Sequence, residues 1–116
     1  MTDIPQLQAF ESPGSHIATF QTDELTALCP FDFGGPDYYT LTLRYKPDDK
    51  VIESKSLKQY LEAYRDVAIT AEELAEQIHT DIEETINPNA LYICLEQARR
   101  GGIEETVEKG DYDLRQ

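Results

Sequence analysis

An alternating run of apolar and polar residues, YYTLTLRY at positions 38–45, restricts the possible folds of this chain more than any other stretch. The run is rich in β-branched and aromatic residues, and a period of two sends successive side chains to opposite faces of a strand. One face then carries Tyr39, Leu41, Leu43 and Tyr45. The pattern predicts a strand in a sheet that buries one of its two faces.

Further strands are expected on both sides of this one. Residues 15–22 alternate, residues 51–53 can form a short extended segment, and residues 90–96 form a short apolar run. The pair Gly101-Gly102 predicts a tight turn into a last strand. Turn-forming residues are frequent between positions 23 and 36, so we expect a loop there.

Two helices are expected between the strand pairs. Ser56 can cap the first helix, which should end near Asp66. Thr70 and Glu73 form a capping box for the second helix, and Asn87 ends it. Apolar residues recur at helical spacing in both segments, at Leu57, Tyr60, Leu61, Tyr64, Leu74, Ile78, Ile82 and Ile86.

The resulting order is strand, strand, helix, helix, strand, strand. It predicts an α+β fold in which an antiparallel four-stranded sheet carries two helices on one face. With 116 residues, the chain suits one domain with a single core over 1–116, with residues 1–14 and 111–116 at its periphery.

The charge of the chain restricts its partners. A net charge of −13, from 23 acidic and 10 basic residues, disfavours a nucleic-acid-binding module because it repels a polyanion. The acidic excess is spread along the chain, so a halophilic source is one hypothesis. No stretch resembles a secretory signal or a membrane-spanning segment, which favours a cytoplasmic protein without a membrane partner.

Cys29 is the strongest candidate for a nucleophile. It lies in LCPFDFGGPD, a stretch rich in turn residues, where a thiolate would be accessible and where Asp37 or Asp32 could serve as acid or base. The alternative is a cysteine that packs as a small hydrophobic residue, beside aspartates that only close turns. Cys94, inside an apolar strand, is expected in the core. The cysteines and histidines have no metal-binding spacing, so we expect no metal site.

A second candidate is a site for an anionic ligand. Lys55 and Lys58 lie at one predicted turn and Arg99 and Arg100 at another, so together they could bind a phosphate group in an otherwise acidic protein. The alternative is that the two lysines form a solvated helix face.

The octapeptide ESKSLKQY at 53–60 resembles the signature of the 7-cyano-7-deazaguanine reductases, the QueF family of nitrile reductases in queuosine biosynthesis. Residues 20–30, 36–66 and 99–103 follow the family's order as well. The resemblance implies the tunnelling fold, or T-fold, whose sheets assemble into a multi-subunit barrel. It therefore implies a homo-oligomer, either a pentamer or a decamer.

The resemblance also implies a mechanism and roles for particular residues. Cys29 would add to the nitrile carbon of a small deazapurine to form a thioimide, and Asp37 would supply protons while NADPH reduces the adduct. Binding of the deazaguanine is implied for Ile52, Glu53, Ser54 and Glu72. Binding of NADPH is implied for Ser54, Lys55, Lys58, Arg100 and Gly101.

This chain departs from the family pattern in two places. Seven residues separate Cys29 from Asp37, one more than the family's usual spacing, so the loop must bulge or Asp32 must take the role of Asp37. The family's substrate-binding His-Glu pair is matched by Ala71 and Glu72, so the imidazole is missing.

These departures leave two alternatives open. One is an archaeosine synthase-like amidinotransferase that acts on 7-cyano-7-deazaguanine in transfer RNA without NADPH. The other is a non-catalytic T-fold protein that binds a purine-like ligand. The retained Lys55 and Lys58 favour the reductase over the first, and the retained Cys29 favours an enzyme over the second.

Overall fold

The computed structural model describes residues 4–14, 16–31 and 36–115. Six strands, two helices and two short 3-10 turns occur in these residues. In chain order they are β1 (Ala9–Glu11), β2 (Ala18–Leu28), β3 (Pro36–Lys46), β4 (Lys50–Ile52), α1 (Ser54–Glu62), a 3-10 turn (Ala63–Asp66), α2 (Ala71–Ile86), β5 (Ala90–Arg100), β6 (Ile103–Gly110) and a 3-10 turn (Tyr112–Leu114).

The main sheet has four antiparallel strands in the order β2-β3-β5-β6, which confirms the predicted sheet. The predicted apolar face of β3 is buried along its whole length, since its tyrosines and leucines lie under the helices. In the register of β3 and β5, Leu41 pairs with Leu95 and Leu43 with Ile93. These residues form one core with Leu74 and the other apolar positions predicted for the helices.

Strand β2 is longer than the sequence indicated. It runs to Leu28, through residues that were expected to form a loop, because a bulge between Thr22 and Leu25 lets the strand resume with its apolar side chains inward. Leu25 and Ala27 are fully buried as a result. Cys29 therefore follows directly after a strand of the main sheet.

The start of α1 differs from the prediction. Its N-cap is Glu53, whose carboxylate accepts hydrogen bonds from the backbone N–H groups of Lys55 at 2.8 Å and Ser56 at 2.7 Å. Ser56, predicted as the cap, lies inside the first turn. Its hydroxyl is buried and accepts a hydrogen bond from the N–H of Gln8 at 2.9 Å.

The segment before β2 contributes to the core, although it was expected at the periphery. Leu7 is only 5% exposed, and β1 pairs with β4 in a small second sheet. The predicted capping box of α2 is present at Thr70 and Glu73. Cys94, expected in the core, is only half-buried. Within the described part of the chain, no helix is both long and apolar enough to cross a membrane.

Candidate active site

Cys29 is held by backbone pairing at the end of β2. The N–H of Leu28 donates to the carbonyl of Val67 at 2.9 Å, and the N–H of Ile69 donates to the carbonyl of Leu28 at 3.0 Å. The thiol is half-buried, and the N–H of Phe31 points at its sulfur at 3.5 Å. These hydrogen bonds fix the backbone next to Cys29, so a nucleophile at this position is held in place.

Asp37 lies next to the end of β2, because β3 begins there and pairs Asp37 with Ala27. Its side chain is 7% exposed, and the guanidinium of Arg100 donates a hydrogen bond to its carboxylate. This hydrogen bond is the main cause of a raised pKa at Arg100, and a hydrogen bond to the Cys29 side chain raises that pKa further. The structure thus brings Cys29, Asp37 and Arg100 together from three strands.

Glu72 approaches the same region from the N-terminus of α2, where Thr70 is the N-cap. Its carboxyl is hydrogen-bonded to that of Glu105 on β6, and this contact together with a backbone N–H lowers the pKa of Glu72. The same contact, followed by burial, raises the pKa of Glu105. The helix N-terminus favours the ionised form of Glu72, so Glu72 is the more acidic member of this pair.

Tyr39 adds a buried phenol to this group. It lies two residues after Asp37 on the same face of β3, and its side chain is 2% exposed. Burial raises its pKa, and the nearby charges of Asp37, Glu105, Glu72 and Cys29 raise it further. The alternating pattern of β3 predicted Tyr39 on its apolar face, and no sequence pattern singled out Glu105. The available signal for Tyr39 was its two-residue spacing from Asp37.

Residues 52–58, several of which were predicted to bind the deazaguanine or NADPH, span the end of β4 and the first turns of α1. Ile52 is buried and donates its N–H to the hydroxyl of Tyr45 at 3.0 Å. The carboxylate of Glu53 is engaged with the first N–H groups of α1, chiefly that of Lys55, which lower its pKa. The side chains of Ser54, Lys55 and Lys58 are exposed on the first turns of α1.

Asp37 and Ile52, two of the predicted site residues, lie at opposite ends of β3. Asp37 is near its start and Tyr45, which contacts Ile52, is near its end. At about 3.3 Å per residue, the strand spans roughly 26 Å between these two positions. Within one chain Cys29, Asp37, Glu72 and Arg100 therefore lie together, whereas Ile52 lies at the far end of β3.

Two further predictions concern an acid and a metal. Asp32, the alternative acid, lies outside the described residues. Among residues 4–14, 16–31 and 36–115, no group of three or more His, Cys, Asp or Glu side chains is placed to hold a metal ion.

Comparison with known proteins decides the family. A family model described as QueF-like protein matches residues 36–114. The chain belongs to the QueF-like protein family. Among its QueF-family relatives, the NADPH-dependent 7-cyano-7-deazaguanine reductase of Caldanaerobacter subterraneus subsp. tengcongensis is 40% identical over 100 residues, which cover 83% of this chain and 74% of that protein. The Thermotoga maritima protein of the same name is 33% identical over 113 residues, covering 97% of this chain and 81% of its own.

A solved structure supports the fold. A chain described as the archaeosine synthase QueF-Like in the apo form superposes with a TM-score of 0.76, covering 87% of this chain and 96% of that chain. The two are 22% identical, so the comparison concerns the fold alone. The predicted T-fold and the predicted family are both confirmed.

Proposed function

We propose that this protein reduces the nitrile of 7-cyano-7-deazaguanine to an aminomethyl group with NADPH. The observation that carries the proposal is the convergence of Cys29, Asp37 and Arg100, which supplies a nucleophile, a proton carrier and a cation. The relatives named as NADPH-dependent reductases of this compound support the choice of substrate and reductant.

The three side chains can activate a nitrile in one concerted arrangement. The Asp37 carboxylate accepts the proton of the Cys29 thiol, and the guanidinium of Arg100 stabilises the thiolate. The sulfur adds to the nitrile carbon as Asp37 returns the proton to the nitrile nitrogen, which gives a thioimide. NADPH, when bound, would supply one hydride to the thioimide carbon and a second NADPH one hydride to the imine that remains after the carbon–sulfur bond breaks. Breaking that bond restores the Cys29 thiolate, and Asp37 passes protons from solvent to the nitrogen at each reduction.

Recognition of the base falls to Glu72. The carboxylate can accept hydrogen bonds from a ring N–H and an exocyclic amino group, which lie side by side on a guanine-type base. The hydrogen bond to Glu105 and a backbone N–H lower the pKa of Glu72, which favours the carboxylate form that this role requires. Ile52, Glu53 and Ser54 are proposed to contact the same base.

The first turns of α1 fit the phosphates of NADPH. Lys55 and Lys58 are exposed and three residues apart, so both ammonium groups can reach one anion, with the hydroxyl of Ser54 beside them. The Glu53 carboxylate engages the backbone N–H groups of Lys55 and Ser56, so phosphate binding depends on the side chains. We assign Arg100 and Gly101 to the cofactor as well, next to Cys29.

A complete site requires more than one copy of the chain. Asp37 of the Cys29 group and Ile52 lie at opposite ends of β3, so we propose that a neighbouring subunit supplies the segment that begins at Ile52 to the Cys29 group. Among the described residues, the outer edge of β6 has no strand partner, and the outer edge of β2 is paired only at Leu28, by the bridge to Ala68. Such edges favour strand pairing between subunits. A pentamer or decamer is the proposed assembly.

Two features distinguish this proposal from its alternatives. An amidinotransferase acting on transfer RNA has no use for NADPH, whereas Lys55 and Lys58 are retained and exposed. A purine-binding protein without catalytic activity does not require a thiol beside a cation. We further propose a cytoplasmic location, because the reaction needs Cys29 as a thiolate and a reducing compartment keeps cysteines free.

Two substitutions test the assignment. Cys29→Ala should abolish NADPH consumption, and intact mass should show a nitrile adduct only on the wild-type protein. Lys55→Ala should raise the KM for NADPH about 10-fold or more, as expected for loss of a charge-assisted contact. Lys50→Ala removes an exposed lysine on β4 and serves as the matched control. An unchanged KM in Lys55→Ala would remove the lysine from the cofactor site.

A further inference from the structure

Tyr39 carries a polar group that the proposed mechanism does not use. Its hydroxyl is buried and has no hydrogen-bond partner within the described residues. Leaving a buried donor unpaired destabilises the folded protein, so such groups are rare and call for an explanation. A phenylalanine would fill the same volume without this cost.

The position of Tyr39 connects it to the acidic groups of the site. Tyr39 on β3 pairs with Gln97 on β5, and Gln97 pairs with Glu105 on β6, so the three side chains form one row on the helix-covered face. Glu72 joins this row from α2 through its hydrogen bond to Glu105. The phenol of Tyr39 therefore lies near the position at which Glu72 would bind a base.

The edge by which proteins recognise a guanine-type base carries two hydrogen-bond donors and one hydrogen-bond acceptor. The ring N–H and the amino group donate, and the adjacent ring carbonyl oxygen accepts. Glu72, as a carboxylate, can satisfy only the donors. Ala71, its neighbour on α2, is buried and has no polar side-chain atom, and the Glu105 carboxyl is hydrogen-bonded to Glu72. The edge needs one more donor to be fully paired.

We propose that the hydroxyl of Tyr39 donates a hydrogen bond to the ring carbonyl oxygen of the bound deazaguanine. The inference rests on the proposed function and adds a residue that determines specificity. When the base binds, its N–H groups replace Glu105 as the partners of Glu72, and the rearrangement opens the hydroxyl to the carbonyl. A base without that oxygen leaves the phenol unpaired and is rejected.

Tyr39→Phe tests this directly because it removes only the hydroxyl. Binding is measured by calorimetry in a Cys29→Ala background, which prevents the covalent adduct. The probes are 7-cyano-7-deazaguanine and an analogue with hydrogen in place of the ring carbonyl oxygen. Tyr39→Phe should weaken binding of the first about 10-fold and leave binding of the second unchanged. Its melting temperature should not fall, since the hydroxyl has no partner to lose.

Tyr38→Phe is the matched control, because Tyr38 lies on the opposite face of β3 and is 57% exposed. It should bind both probes like the parent protein. Equal affinities of Tyr39→Phe and its parent for the nitrile, or an equal loss for both probes, would overturn the role of Tyr39 and leave the proposed reductase intact. A wild-type protein that neither binds the nitrile nor consumes NADPH would overturn both.

Discussion

Arg100 contacts both side chains that carry the proposed chemistry, Asp37 and Cys29. In a chain with a net charge of −13, such a contact places a cation where a thiolate has to form. Two of these three residues, Cys29 and Asp37, could be assigned to catalysis from the sequence. Arg100 was assigned to the cofactor alone, because a contact between the ends of β3 and β5 has no sequence signal.

The Glu72–Glu105 pair predicts a specific pH dependence of stability. A raised pKa at Glu105 means that the folded protein binds the proton of the Glu105 carboxyl more tightly than the unfolded chain does. The resulting stabilisation is present below the ordinary glutamate pKa of 4.5 and is lost as the pH rises through the raised value. Glu72 acts in the opposite sense, because its lowered pKa adds stability that is lost only as the pH falls through the lowered value.

Glu105→Gln should therefore remove the fall in melting temperature that the wild-type protein shows as the pH rises above 4.5, since an amide donates to Glu72 at every pH. The measurement is a series of thermal melts at increasing pH. Glu104→Gln is the control, because Glu104 is exposed and pairs with Arg99 at the surface. If Glu105→Gln and wild type show the same pH profile, the proton of the Glu72–Glu105 pair is not part of the site.

At the scale of secondary structure, elements specified by local pattern were predicted well. The alternation of β3 and the capping box of α2 both act over a few residues, and both are present as expected. The bulge in β2 was missed because it depends on pairing with β3, and the β1–β4 sheet because it joins segments about 40 residues apart. The Glu53 cap was missed since glutamate is not among the preferred N-cap residues.

The end of β6 provides a test of packing between elements. Gly110 has a φ of 111°, and a Cβ there would lie 2.1 Å from the carbonyl oxygen of Leu91. Gly110→Ala should therefore lower the free energy of unfolding by roughly 3 kcal/mol or more. Gly102→Ala is the control, because its φ of 84° is also positive but nothing lies within 4 Å of its Cβ.

Gly102→Ala should lower the free energy of unfolding by only about 1–2 kcal/mol, because a left-handed backbone conformation is unfavourable for alanine. Urea unfolding of both variants at one protein concentration gives the comparison. Equal losses in the two variants would mean that Gly110 does not approach Leu91 closely.

At the scale of the whole molecule, the distance between the two halves of the site becomes a prediction about assembly. Neither Cys29→Ala nor Lys55→Ala should be fully active alone. If neighbouring subunits share each site, dissociating and reassembling a mixture should restore activity, because some sites receive an intact Cys29 from one chain and an intact Lys55 from the other. Light scattering should give a mass that is a multiple of 13.2 kDa.

A mixture no more active than its separate components would place the whole site within one chain. Assembly of this kind could not be predicted from periodicity or charge. It was implied only by the family resemblance, and it remains a proposal. The charge of −13 adds the hypothesis that assembly requires concentrated salt, since subunits of like charge repel one another at low ionic strength.

The most direct test of the central claim is the loss of NADPH absorbance after addition of 7-cyano-7-deazaguanine to the purified protein, in low and high potassium chloride. A reductase should consume two NADPH per nitrile, because two hydrides are needed to bring a nitrile to an amine. No consumption at either salt concentration would contradict it, whether or not Cys29 still formed an adduct with the nitrile.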